Sequence, residues 1–250
     1  MTNDDFKKEL RIARKAAISA GEMLLSNKNK LNKSILSSDK DIKLQADISA
    51  ENIIKEILER ESIFSILAEE SGKSVENLGN LFWVVDPLDG TVNYSRNIPF
   101  CCVSIALVMD LKPIIGVIYD FNSKNLYEGG VDIAATLNGV EICVSDTAKH
   151  NEGILVTGLP NNTDYSDDAM LKMIKDFQSW RKVRMIGSAA IASAYVASGK
   201  ADVYKEFGTY LWDVAAGAAI VNAAGGRASI TNQKDNFQVD VFFSNSKILD

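Results

Sequence analysis

The chain has 250 residues, 46% of them hydrophobic, enough for one large domain or two smaller ones with a real core. Its net charge of -6 argues against a nucleic-acid-wrapping surface, which needs clustered Lys and Arg, so no nucleic-acid partner is expected. Three cysteines without a CxxC pair exclude a disulfide framework and predict buried reduced thiols.

Phe6, Leu10, Ala13, Ala17, Ala20 and Leu24 recur at helical spacing and predict an opening amphipathic helix. MTNDDFKKEL has no apolar signal-peptide core, and no apolar run is long enough for a bilayer. These features predict a cytoplasmic protein with no membrane partner. Residues 27–43, rich in Lys, Asn and Ser, predict a mobile loop. A second helix is expected from about Ile48, with Asp47 at its entrance. SIFSILAEE, NLFWVVD, FCCVSIALVM and PIIGVIYD then predict strands.

From about residue 145 the pattern becomes alternating. GILVTGL predicts a strand, residues 164–180 a helix and KVRMIG a strand. SAAIASAYVASG predicts a helix closed by Gly199, ADVYKEF a strand, and DVAAGAAIVNAAGG a helix ended by Gly225 and Gly226. The expected division is 1–145 as an α+β domain and 146–250 as an α/β domain.

The chemistry concentrates in WVVDPLDGTVNY, where Asp86 and Asp89 follow an apolar run. Pro87 predicts an immediate turn out of the strand, which would aim both carboxylates at one point. Gly90 permits close backbone approach and Thr91 adds a hydroxyl. Hard divalent cations take such oxygen ligands, although Asp, Pro and Gly also build ordinary turns. Glu69 and Glu70 end another apolar run. Asp213, before an Ala-rich helix, fits an N-cap as well as a ligand, and Asp47 shares that ambiguity.

These segments resemble the inositol monophosphatase family, lithium-sensitive, magnesium-dependent phosphomonoesterases. Its signatures correspond to WVVDPLDGTVNYSRNIPF and WDVAAGAAIVNAAGG, its glutamate motif to AEES, and its substrate-side segment to GSAAIASAYVASGKADVY. All four occur in the family's order. The resemblance implies a layered αβαβα sandwich, commonly a homodimer, binding two to three Mg2+ ions. It implies Glu69, Asp86, Asp89, Asp213 and the Leu88 carbonyl as metal ligands. Asp47, Glu69 and Thr91 would activate a directly attacking water, without a covalent intermediate, and Glu70 would stand behind them. Gly90 and Thr91 would cradle phosphate, while Ser188, Ala189 and Glu206 would bind the rest of a small phosphorylated metabolite. Tyr210 lies where the family varies with substrate.

Other phosphatase chemistries fit less well. SGKS lacks the P-loop glycine, with Leu67 at that position, and Gly199-Lys200 fails similarly. There is no G-x-G-x-x-G. His150 is the only histidine and is expected to be a solvated loop residue, so a histidine-dependent hydrolase would rest on it alone. Two residues separate Asp86 from Asp89, against the one of aspartyl-phosphate phosphatases. DGTVNY and GSAAIASAY favour an inositol phosphate or related sugar phosphate. A bisphosphate nucleotidase, a fructose-1,6-bisphosphatase, a histidinol-phosphate phosphatase and a regulatory binding protein of the same fold remain alternatives.

Overall fold

A computed structural model describes residues 3–37, 42–160 and 163–249. The first half runs α1 (Asn3–Ser26), α2 (Lys28–Leu31), β1 (Ser34–Ser37), β2 (Ile42–Leu44), α3 (Gln45–Glu61), β3 (Ser65–Ala68), β4 (Gly72–Lys73), β5 (Leu81–Asp89), α4 (Thr91–Ser95), β6 (Cys102–Met109), β7 (Lys112–Asp120), β8 (Asn125–Gly130), β9 (Ile133–Leu137) and β10 (Val140–Glu141). The second half runs β11 (Ile154–Thr157), α5 (Asp167–Phe177), β12 (Lys182–Met185), α6 (Ala189–Ala197), β13 (Val203–Tyr210), α7 (Leu211–Ala223), β14 (Arg227–Thr231) and β15 (Gln238–Ser244).

Strand periodicity explains the layering. Along β5, Trp83 and Val85 enter a core with α1 and α3, whereas Phe82 and Val84 enter another with α6 and α7. Both faces of this eight-stranded sheet, order β10-β9-β8-β7-β6-β5-β3-β4, are therefore covered. α6 and α7 are apolar around their whole circumference, as helices buried between two layers must be. A five-stranded sheet, order β12-β11-β13-β15-β14, covers their other side. α5 forms a thin fifth layer, anchored by Phe177 and by Lys205 Nζ to Asp176 Oδ2 at 2.8 Å. The order of layers is the expected αβαβα.

Several local expectations are corrected. Residues 27–43 are not one loop: they contain α2 and the antiparallel pair β1–β2, although 38–41 lie outside the described residues. The short alternation SIL and IKL carried too little pattern to stand out among lysines. The strands β8–β10, β14 and β15 add pairings that the sequence had not signalled. Cys101 and Cys102 are buried as expected, but Cys143 is exposed. His150 is half-buried rather than solvated, and stacks on Trp180 at 4.4 Å. Among the described residues, no helix is long and apolar enough to cross a membrane.

Candidate active site

The acids converge because of strand pairing. β3 and β5 are parallel, with Ala68 opposite Val85, so Glu69 and Asp86 leave adjacent strand ends side by side. Glu69 N donates to Val85 O at 3.0 Å and fixes that alignment. Asp86 shares strand parity with Phe82 and Val84 and faces the α6–α7 layer. Asp89, three residues on, would face the opposite way in a regular strand. It does not, because β5 bulges: Asp86 pairs with Ser104 and Asp89 with Cys102. Pro87 therefore does not turn the chain out of the strand, contrary to expectation. The strand continues, and the extra residue brings both carboxylates to one face.

The C-terminal half supplies the opposite wall. Asp213 occupies the third position of α7, not the expected N-cap, which is Tyr210. Its Oδ2 accepts from Tyr210 N at 2.9 Å and from Thr209 Oγ1 at 2.6 Å. Asp47 occupies the same position in α3, and its Oδ2 accepts from Leu44 N at 2.7 Å. Each carboxylate satisfies a helix-entry N–H and favours the positive end of the helix dipole. Asp47 Oδ1 also accepts from Thr91 Oγ1 at 2.9 Å, the same distance that separates this hydroxyl from Leu88 O. Gly90, at φ 88°, makes the left-handed entry into α4; a Cβ there would lie 2.6 Å from Phe100 O.

Ser188 and Ala189 were expected to face an external anion or hydroxyl. Their hydrogen bonds instead go to Asp89. Ser188 Oγ donates to Asp89 Oδ2 at 2.5 Å, Ala190 N to Oδ2 at 2.8 Å and Ala189 N to Oδ1 at 3.3 Å. The anion at the N-terminus of α6 is this side chain. Ser188 and Ala189 still border a cavity of about 260 Å3, together with Glu69, Asp86, Asp89 and Asp213. Leu88, Gly90, Thr91, Tyr210 and Glu206 also line it. Asp47 stands just behind, reaching the cavity through Thr91. Tyr210 stacks on Trp212 at 4.7 Å.

The electrostatics are those of crowded acids. Burial, followed by the neighbouring Glu69, Asp89 and Asp213 charges, holds Asp86 well above the usual carboxylate range. Glu69 is exposed through the cavity mouth, yet the dense protein around it and the Asp213 charge hold it well above that range too. Burial raises Asp89, opposed first by the Ser188 hydrogen bond. Burial pushes Asp47 up to about 6, against the bonds from Leu44 and Thr91. Burial and then Asp213 push Glu206 up to about 8, while Tyr204 Oη, donating to Glu206 Oε2 at 3.1 Å, opposes the rise.

An oxygen-only set of mutually repelling carboxylates fits a hard divalent cation, which would offset the repulsion. Among the described residues, no three Asp, Glu, His or Cys side chains are already closed into a finished cage. The acids are instead placed on neighbouring walls, hydrogen bonded to their surroundings.

Two residues beside the site went unsignalled in the sequence. Asn93 Nδ2 donates to Phe100 O, Ile186 O and Gly187 O at 2.8, 2.7 and 3.1 Å, tying the Asp-rich segment to the approach to α6. Lys43 forms an ion pair with Glu70, and that bond raises the lysine's pKa. Asn93 adjoins the DGT run and was open to suspicion; nothing local marked Lys43.

Comparison with known proteins agrees with the geometry. The chain is 39% identical over 224 residues to the Nus factor SuhB of Xylella fastidiosa, covering 88% of this chain and 81% of that protein. It is 38% identical over 236 residues to the inositol-1-monophosphatase of Synechocystis, covering 90% and 79%. The solved inositol monophosphatase of Anabaena superposes with a TM-score of 0.83 at 34% identity, covering 96% of this chain and 92% of that one. Fold and relatives define a phosphoric monoester hydrolase. With the model of the inositol monophosphatase family matching residues 5–249, the chain belongs to that family.

Proposed function

We propose that the protein hydrolyses a small phosphate monoester, an inositol phosphate or related sugar phosphate, in a Mg2+-dependent reaction with direct attack by water. The convergence of Glu69, Asp86, Asp89 and Asp213 on one cavity, beside the Thr91–Asp47 pair, carries this reading. In it, those four side chains and the Leu88 carbonyl hold two to three Mg2+ ions. Bound Mg2+ supplies charge neutralisation for the phosphoryl group and lowers the pKa of water. Thr91 Oγ1 accepts a hydrogen bond from the attacking water and relays its proton toward Asp47. A carboxyl titrating at about 6 is ionised at neutral pH and suits a general base. Glu69 adds a second acidic partner on the attacking side. Gly90 and Thr91 orient the phosphate. Ser188 and Ala189 hold Asp89 in place from the substrate side. Glu206 contacts a hydroxyl of the leaving alcohol.

The test is phosphate release, with Mg2+ and with EDTA, from inositol 1-phosphate, 3'-phosphoadenosine 5'-phosphate, fructose 1,6-bisphosphate and histidinol phosphate. Metal-dependent turnover strongest on inositol phosphate is expected. Preference for another ester would overturn the substrate assignment, and turnover unaffected by EDTA would overturn the metal chemistry. The Xylella relative is named a Nus factor, which favours the second reading, a regulatory binding protein of the same fold, and that role is compatible with a working phosphatase site. Operation in the cytoplasm as a homodimer completes the proposal.

A further inference from the structure

The acids around the site form two adjoining groups. Glu69, Asp86, Asp89 and Asp213 line the active-site cavity, and the described residues lining it include no Lys or Arg. Asp47, Glu51 and Glu70 lie outside that lining. Asp47 and Glu51 are buried one helical turn apart on α3, where like charges repel, and Glu70 N donates to Glu51 Oε2 at 3.0 Å. The groups touch electrostatically, since Glu70 and Asp47 are among the charges that raise Glu69.

A lysine answers the outer group. Lys43 precedes Leu44, whose N–H binds Asp47 Oδ2 and ties β2 to the start of α3. Its ammonium pairs with Glu70, and the Glu51 and Asp47 charges also act on it. The pair is largely covered, the Glu70 side chain being 11% exposed and that of Lys43 33%. Lys55, one turn beyond Glu51, is directed to Ser71 Oγ at 3.0 Å instead. The outer oxygens have other donors too: Thr91 Oγ1 for Asp47 and the Glu70 N–H for Glu51.

We propose that Lys43 is a resident counter-ion, which neutralises the outer acids in place of a divalent cation and so confines Mg2+ to the cavity acids, making two ions the full complement. This rests on the metal assignment above. A tethered ammonium pays no translational cost on pairing, whereas Mg2+ pays that cost and parts with its water reluctantly. Lys43 is a positioning residue: it acts on the site through Glu70, the chain neighbour of Glu69.

The experiment titrates the full chain with Mn2+ in place of Mg2+, counting free ion by electron paramagnetic resonance. Lys43→Met should bind about one more Mn2+ per chain than the wild-type protein, and Lys43→Arg should keep the wild-type count. Glu70→Gln leaves the ammonium under-compensated and should weaken Mn2+ binding in the cavity on the order of tenfold. Adding Lys43→Met to Glu70→Gln should restore that affinity without the extra ion, a rescue that a merely structural lysine would not give. Equal counts in the wild-type protein and Lys43→Met, both with metal-dependent turnover, would overturn the role of Lys43 and leave the phosphatase assignment intact. A count raised as much by Arg as by Met would overturn it as well. If Lys43→Met loses its near-UV circular dichroism, Glu70→Gln decides, and unweakened Mn2+ binding there would overturn the proposal. Counts in the expected order, with no ester hydrolysed, would uphold Lys43 and defeat the phosphatase assignment.

Discussion

Replacing Glu206 by Gln should make the metal-free protein less sensitive to alkaline pH. The carboxyl has an ordinary value of 4.5 and is pushed up to about 8, by burial first and by Asp213 second. A raised carboxyl binds its proton more tightly in the folded state, so its contribution is fully present below pH 4.5. That contribution is lost as pH rises toward 8. Each pH unit in this window costs about 1.4 kcal/mol, and the cost reaches about 3 kcal/mol at pH 7. Gln keeps an oxygen to accept from Tyr204 Oη and removes only the titration. Urea unfolding in EDTA, followed from pH 4.5 to 8, should therefore show the variant gaining on the wild-type protein by about 3 kcal/mol by pH 7. A stability difference that is constant with pH would refute the argument, because it would mean that Glu206 is not desolvated among the acids.

Asp89→Asn keeps the shape that caps α6 but removes one of the clustered charges; phosphate release should vanish while near-UV circular dichroism stays native, and full activity would sink Asp89 as a metal ligand. Asn93→Ala leaves Phe100 O, Ile186 O and Gly187 O without their shared donor, and denaturant titration should find a loss of about 1–3 kcal/mol. A loss below about 0.5 kcal/mol would show that water replaces the amide freely. Mg2+ at about one hundred times its Kd should add about 2.7 kcal/mol, raising Tm by about 5–10 °C in a chain of this length. An unchanged Tm after EDTA dialysis would contradict relief of carboxylate repulsion by the cation.

What the sequence determined by itself was local. Short, nearly unbroken apolar runs in LFWVV and FCCVSIALVM mark strands, the 3.6-residue repeat around Ala13, Ala17 and Ala20 marks a helix, and acids at the ends of apolar runs mark strand mouths. Together with the ordered motifs, this made the layered fold and the cavity-lining acids legible. Tertiary structure decided which acids meet, and how. The parallel β3–β5 register sets Glu69 beside Asp86, and the bulge at Pro87-Leu88 reverses the face of Asp89. The N-terminus of α6, a hundred residues further on, then captures that carboxylate. None of these leaves a short-range pattern, because each depends on contacts between residues distant in the chain.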